Sequence, residues 1–149
     1  MQPVLHITST GACGIALSDP VETIITTLGP CPQTQVDKGI SQFRYPGITF
    51  IVSNKQIDSI AVYSSDLGKM ENGIHVGATI EDINKLGLFL EYNSLCRCWN
   101  LPGISAMSFF LSSPRKNTLP NQSERVVVDE TIENPTLTTI DSIIIQRES

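Results

Sequence analysis

The chain has no run of about 18 apolar residues, so no stretch of it is expected to cross a membrane as a helix. It has no GxGxxG or Walker-type glycine loop, which removes the usual dinucleotide and phosphate cradles. It has no CxxC and only two histidines, His6 and His75, so a zinc site would have to be gathered from distant cysteines. It lacks a basic cluster: Arg115-Lys116 is the densest pair, the formal net charge is −5 and the pI is about 4.9. Nucleic-acid binding, which rests on neutralising phosphates with Lys and Arg, is therefore not expected. The opening residues, MQPVLHITSTGACGIAL, carry neither a charged region nor a continuous apolar stretch of the secretory type, and a cytoplasmic protein is expected.

What is present is a globular composition. Of 149 residues, 40% are hydrophobic and 17% charged, a balance that separates folded domains from disordered chains. Ile, Val and Thr are abundant, which favours strands. The chain also repeats itself. GIALSDPVETIITTLG (14–29) aligns with GIHVGATIEDINKLG (73–87) if one gap is allowed. Gly14 falls on Gly73, Ile15 on Ile74, Val21 on Ile80, Ile24 on Ile83 and Gly29 on Gly87. Pro46-Gly47-Ile48 then recurs as Pro102-Gly103-Ile104, and Ile-Asp-Ser-Ile occurs at both 57–60 and 140–143. Three matches in the same order point to an internal duplication. The expected organisation is one domain of two repeats, about 1–66 and 73–149, with a linker at 64–72 and an insertion at 112–139 in the second repeat.

Each copy has the same local reading. In the first, Asp19 is the expected N-cap, Pro20 the first helical position and Glu22 the closer of a capping box. Val21, Ile24, Ile25 and Leu28 share one helical face, and Gly29-Pro30 stops the helix. In the second, Thr79 is the expected cap, Glu81 and Asp82 favour the helix dipole, and Gly87 ends the helix. SQFRYP, ITFIV and IDSIAVY read as a three-strand meander with turns at Pro46-Gly47 and Ser53–Gln56. SLCRCWNL, ISAMSFFL and DSIIIQR are its counterparts, and PVLHIT is the first strand. Val126-Val127-Val128 forms a possible strand inside the insertion. If Phe43, Tyr45, Trp99 and Leu101 face the helices, then Gln42, Arg44, Cys98 and Asn100 face outward. The fold class expected is α+β: two βαβββ-like repeats, with short helices packed on one face of antiparallel sheet.

Candidate chemistry is sparse. Cys96 and Cys98, two apart on a strand, would point to one face and could share a metal or a thiol partner. With Cys13 and Cys31 they would make a four-cysteine set, but the spacing favours free packing cysteines. No nucleophile motif surrounds any cysteine, and His75 reads as a structural histidine. No cofactor and no metal are expected. Asp129, Glu130 and Glu133 form an acidic cluster at the edge of the insertion, either a solvated loop or a contact for a basic partner.

The pattern of glycine start, capped short helix, Leu-Gly stop and antiparallel meander over Gly14–Pro32 and Gly73–Gly87 resembles the β-lactamase-inhibitor-protein-like and SmpA/OmlA type of repeat. That resemblance implies a helical segment packed on an antiparallel sheet and a non-catalytic, protein-binding scaffold. Small acidic single-domain chains of this type are also similar to bacterial toxin-immunity proteins. The expected function is thus a non-enzymatic inhibitor, an immunity protein that binds a basic cognate toxin and occludes its active site. Asp129, Glu130 and Glu133 are the first contact candidates, with Arg44 and Tyr63 on the sheet next. The alternatives are a small-molecule or lipid-binding module between the halves, and an enzyme using Cys96, Cys98 or His75. Oligomeric state is left open by the sequence.

Overall fold

The computed structural model describes residues 6–114, 125–128, 131–132 and 134–147. Strands dominate. A small sheet is built from β1 (His6–Thr8), β2 (Gly11–Ala12), β3 (Ile15–Ala16) and β8 (Lys69–Met70), in the order β3-β2-β1-β8. Gly11 is needed there because a Cβ would collide with the Ile15 carbonyl oxygen. The segment read as a linker is ordered: a 3₁₀ turn at Ser65–Leu67 leads into β8, which pairs parallel with β1.

The large sheet holds β4 (Gln33–Asp37), β5 (Ile40–Tyr45), β6 (Ile48–Ser53), β7 (Gln56–Val62), β9 (Glu91–Asn93), β10 (Cys98–Leu101), β11 (Ile104–Pro114), β12 (Arg125–Val127) and β13 (Thr139–Gln146). Its main path is β4-β5-β6-β7-β13-β11-β10-β9, antiparallel throughout, with β12 added to the far end of β11. The order mirrors about the β7–β13 seam, where Ala61 lies opposite Ile144. Helices α1 (Glu22–Leu28) and α2 (Ile80–Lys85) and the small sheet contribute to one core with the large sheet's inner face. Ile24 and Ile83 from the helices, Ile7 and Ile15 from the small sheet, and Phe50, Ile60, Phe109 and Ile143 from the large sheet are all within 1% of full burial. The α+β class with antiparallel sheet is thus as the sequence implies.

The two sides of the large sheet share a backbone hydrogen-bond pattern. In the first half, Ser18 N–H donates to the Ile57 carbonyl (2.9 Å), Ile57 N–H to Asp19 (3.0 Å) and Val21 N–H to Lys55 (3.0 Å). In the second, Gly77 N–H donates to Ile140 (2.8 Å), Ile140 N–H to Ala78 (3.0 Å) and Ile80 N–H to Thr138 (3.0 Å). The bridge Pro20–Gln56 has its counterpart in Thr79–Thr139. The aspartates of the two Ile-Asp-Ser-Ile segments, Asp58 and Asp141, both fall where the ladder skips a residue.

Several expectations need correction. Thr79 caps α2, its hydroxyl accepting from Asp82 N–H (3.0 Å) while the Asp82 carboxylate accepts from Thr79 N–H (3.3 Å). Asp19 does not cap α1. Pro20 occupies the place that Thr79 holds in the second half, so neither a side-chain acceptor nor an N–H is available there. The helix starts after Val21 without a side-chain cap, and Asp19 folds back to accept from Ala16 N–H at 2.9 Å. Ile25, counted with the buried face, is 40% exposed. A further strand, β4, precedes the expected meander, and SLCRCWNL is not one strand: residues 94–97 make a turn between β9 and β10.

Candidate functional site

The outer face of the large sheet carries the two described site candidates, Arg44 and Tyr63. The register places Gln33 beside Arg44, Arg44 beside Thr49, Thr49 beside Ala61, Ala61 beside Ile144 and Ile144 beside Ser108. This row crosses six strands. Alternation puts these side chains opposite the core-facing set, and from Thr49 to Ser108 they are half-buried. The neighbouring positions Ile51, Ser59, Ser142 and Phe110 are half-buried too, so the middle of the face mixes small hydroxyls with apolar side chains.

The polar end of the row is fixed by hydrogen bonds. Arg44 donates from Nε (3.3 Å) and Nη2 (2.9 Å) to the Gln42 side-chain oxygen, a brace between residues two apart on one strand face. Tyr63 Oη donates to the Tyr45 carbonyl (3.2 Å) and lies 3.1 Å from Thr49 Oγ1. Since Thr49 is also the cross-strand neighbour of Arg44, the structure brings Arg44 and Tyr63 to the same corner of the face. Tyr45 points the other way, buried, with its hydroxyl on the Gly29 carbonyl at 2.7 Å. Burial, and then the charge and hydrogen bond of nearby Cys31, push the Tyr45 phenol above its ordinary range. Asp129, Glu130 and Glu133 lie outside the described residues.

The cysteines are not what the spacing implied. Cys96, in the turn at 94–97, and Cys98, the first residue of β10, are joined in a disulfide rather than being free packing thiols. Cys98 was placed on the outward face but is closed to solvent, whereas Cys96 is exposed. Cys13 and Cys31 are free; burial raises the Cys13 thiol above its ordinary value. Among the described residues no three His, Cys, Asp or Glu side chains are grouped as a metal site. His75 Nδ1 lies 2.8 Å from the Val76 carbonyl, a local bond that fits a structural role. The one signal that could have revealed the disulfide is the Asn93-Ser94 pair before the cysteines, whose turn chemistry the apolar count of SLCRCWNL hid.

An open cleft of about 390 Å³ lies between the small sheet and the first residues of β11. Ile7, Met70, Ile104 and Met107 form its apolar lining, with Thr8, Ser9, Glu71 and Asn72 completing it. No described helix is long and apolar enough to cross a membrane.

No family model and no curated protein matches the chain. Solved structures do. The uncharacterized protein yfeY from Escherichia coli is similar with a TM-score of 0.57 and 14% identity, over 95% of this chain and 99% of that one. An extracellular protein containing a SCP domain from Bacillus anthracis is similar with a TM-score of 0.48 and 9% identity, over 87% of this chain and 43% of that one. The yfeY likeness shows that the fold recurs from end to end in another chain.

Proposed function

We propose that the chain is a protein-binding module whose sheet face acts non-catalytically, by covering its partner as an immunity protein covers a cognate toxin. The observation that carries this reading is the Arg44–Tyr63 corner beside the half-buried row Thr49–Ala61–Ile144–Ser108. Arg and Tyr dominate binding energy at protein interfaces, and both side chains are already held by Gln42 and Thr49, which lowers the entropy lost on docking. A net charge of −5 favours a basic partner through steering. Asp129, Glu130 and Glu133 supply the acidic contact in this proposal. The shared hydrogen-bond pattern of the halves supports our inference that they arose by duplication, as one domain of two repeats divided near 64–72.

The test is a pull-down against proteins encoded beside the gene, followed by titration. Arg44→Glu and Tyr63→Ala are each expected to weaken the complex at least tenfold, and Lys85→Glu on the opposite layer to leave it unchanged. Unaltered affinity in the double sheet variant would remove the sheet face from the interface. Capture of no basic partner would remove the inhibitor reading. The cleft lined by Ile7, Met70, Ile104 and Met107 favours a second reading, a small-molecule or lipid-binding module. That reading predicts a ligand retained in native mass spectrometry of the purified chain. The cytoplasmic location is also part of the proposal. There a disulfide is normally a transient or working one rather than a staple.

A further inference from the structure

Two hairpins close the opposite ends of the large sheet. The β4–β5 turn uses Lys38 and Gly39, both with positive φ, and no cross-link. The β9–β10 turn is held already by the pairs Cys98–Asn93, Trp99–Tyr92 and Asn100–Glu91, by Asn93 Oδ1 accepting from Leu95 N–H (3.0 Å), and by the Tyr92–Trp99 ring contact at 5.3 Å. The added Cys96–Cys98 bond spans a sequence separation of only 2. Stabilisation by a cross-link grows with the loop it closes, so this bond adds little to a hairpin that the sister hairpin makes without one. It also keeps Arg97 between its ends at φ 54, a conformation disfavoured for a residue with a Cβ.

The location suits chemistry better than stapling. Ser94, Leu95, Cys96 and Arg97 are all exposed, Leu95 at 96%, while Cys98 is fully buried. We propose that Cys96–Cys98 is an exchange-active disulfide that takes two electrons from a pair of thiols on a protein or peptide substrate. The first substrate thiolate attacks Cys96 Sγ, the only one of the two on a solvent-exposed residue. The Cys96–Cys98 bond breaks, its electron pair leaves on Cys98 Sγ, and that sulfur takes a proton. The second substrate thiolate then attacks the substrate sulfur of the mixed disulfide. The substrate leaves as a disulfide and Cys96 is released as a thiolate. A small-molecule disulfide such as oxidised glutathione reverses the two steps and restores the bond. Leu95 offers the substrate an apolar contact beside the reacting sulfur.

The test uses the full chain carrying Cys31→Ser, which removes the half-exposed free thiol. With a two-thiol peptide and oxidised glutathione, the peptide is expected to oxidise at least tenfold faster than with the same chain carrying Cys96→Ser and Cys98→Ser. Cys98→Ser alone should be trapped by the peptide's disulfide form as a mixed disulfide at Cys96, and Cys96→Ser should not. Equal peptide oxidation with and without the cysteine pair, or equal trapping of the two single variants, would overturn the proposal. If a variant fails to fold by circular dichroism, the unmutated pair decides: it must open in a glutathione redox buffer while the sheet stays intact. Opening only at denaturant concentrations that unfold the chain would mark it as structural.

Discussion

The first half of the large sheet, β4 to β7, and the second, β9 to β13, run on the same backbone frame but spend their side chains differently. Each half ties its helix entry to its last strand with the same three hydrogen bonds, and each strand skips a residue at an aspartate. The caps and turns are another matter. Thr79 and Asp82 close a capping box where the first half has Pro20 and an uncapped Val21. Lys38-Gly39 turns one outer hairpin, and a disulfide-bridged loop turns the other. The hydrogen bonds that join helix to strand tolerate little change because a buried donor without a partner costs more than the bond returns. Cap and turn residues sit at the surface, where several chemistries give nearly the same free energy.

The largest effect tests whether the halves stand or fall together. Phe50 and Phe109 are both fully buried, one in each half. Phe50→Ala and Phe109→Ala should each cost about 3–5 kcal/mol from lost burial and the cavity left behind. Because the core is shared, denaturant unfolding followed by far-UV circular dichroism should stay a single transition in both. Two transitions, with only one displaced by each substitution, would show independent halves. A smaller effect separates the helices. Thr79→Ala removes the capping hydroxyl and should cost about 1 kcal/mol. Val21→Ala, at the uncapped start of α1, removes no such bond, and a comparable loss there would show that packing and not the cap decides the difference. The smallest effect is a gain. Lys38 lies at φ 51 before Gly39, and the paired positive φ values suit Asn-Gly. Lys38→Asn should stabilise the first hairpin by about 0.5 kcal/mol, read as a higher midpoint at unchanged slope.

Much of this frame was legible. The strands ITFIV, IDSIAVY, ISAMSFFL and DSIIIQR alternate because one face is buried, and Pro-Gly marks the turn between partners in each half. Strand β4 escaped for the opposite reason: all five of its residues are exposed at the sheet edge, so no alternation is imposed on QTQVD. Strand β8 is two residues long, and its pairing with β1 is decided by tertiary contact rather than by its own composition. The α1 cap lies two residues later than Asp19: Asp-Pro is a good helix opening in isolation, while here Pro20 is held in a bridge to Gln56. At the candidate site, Arg44 and Tyr63 could be named from strand parity, but their meeting through Thr49 depends on the β5–β6 register and on how the chain leaves β7. The Cys96–Cys98 bond is hidden in the sequence because SLCRCWNL reads as one apolar strand, although Asn93 and Ser94 mark a turn.

The seam between β7 and β13 has a consequence for the chain as an assembly. Ala61 and Ile144 occupy equivalent places in the two halves and lie opposite each other, so their pairing is what a symmetric dimer interface would look like had the halves been separate molecules. In the duplication we propose, each half acts as the other's bound subunit, held by a tether that raises its effective concentration. A chain severed between Ser64 and Asn72 would leave two fragments with bare, isoleucine-rich edges. Each would be free to recombine with its counterpart or to pair with a second copy of itself.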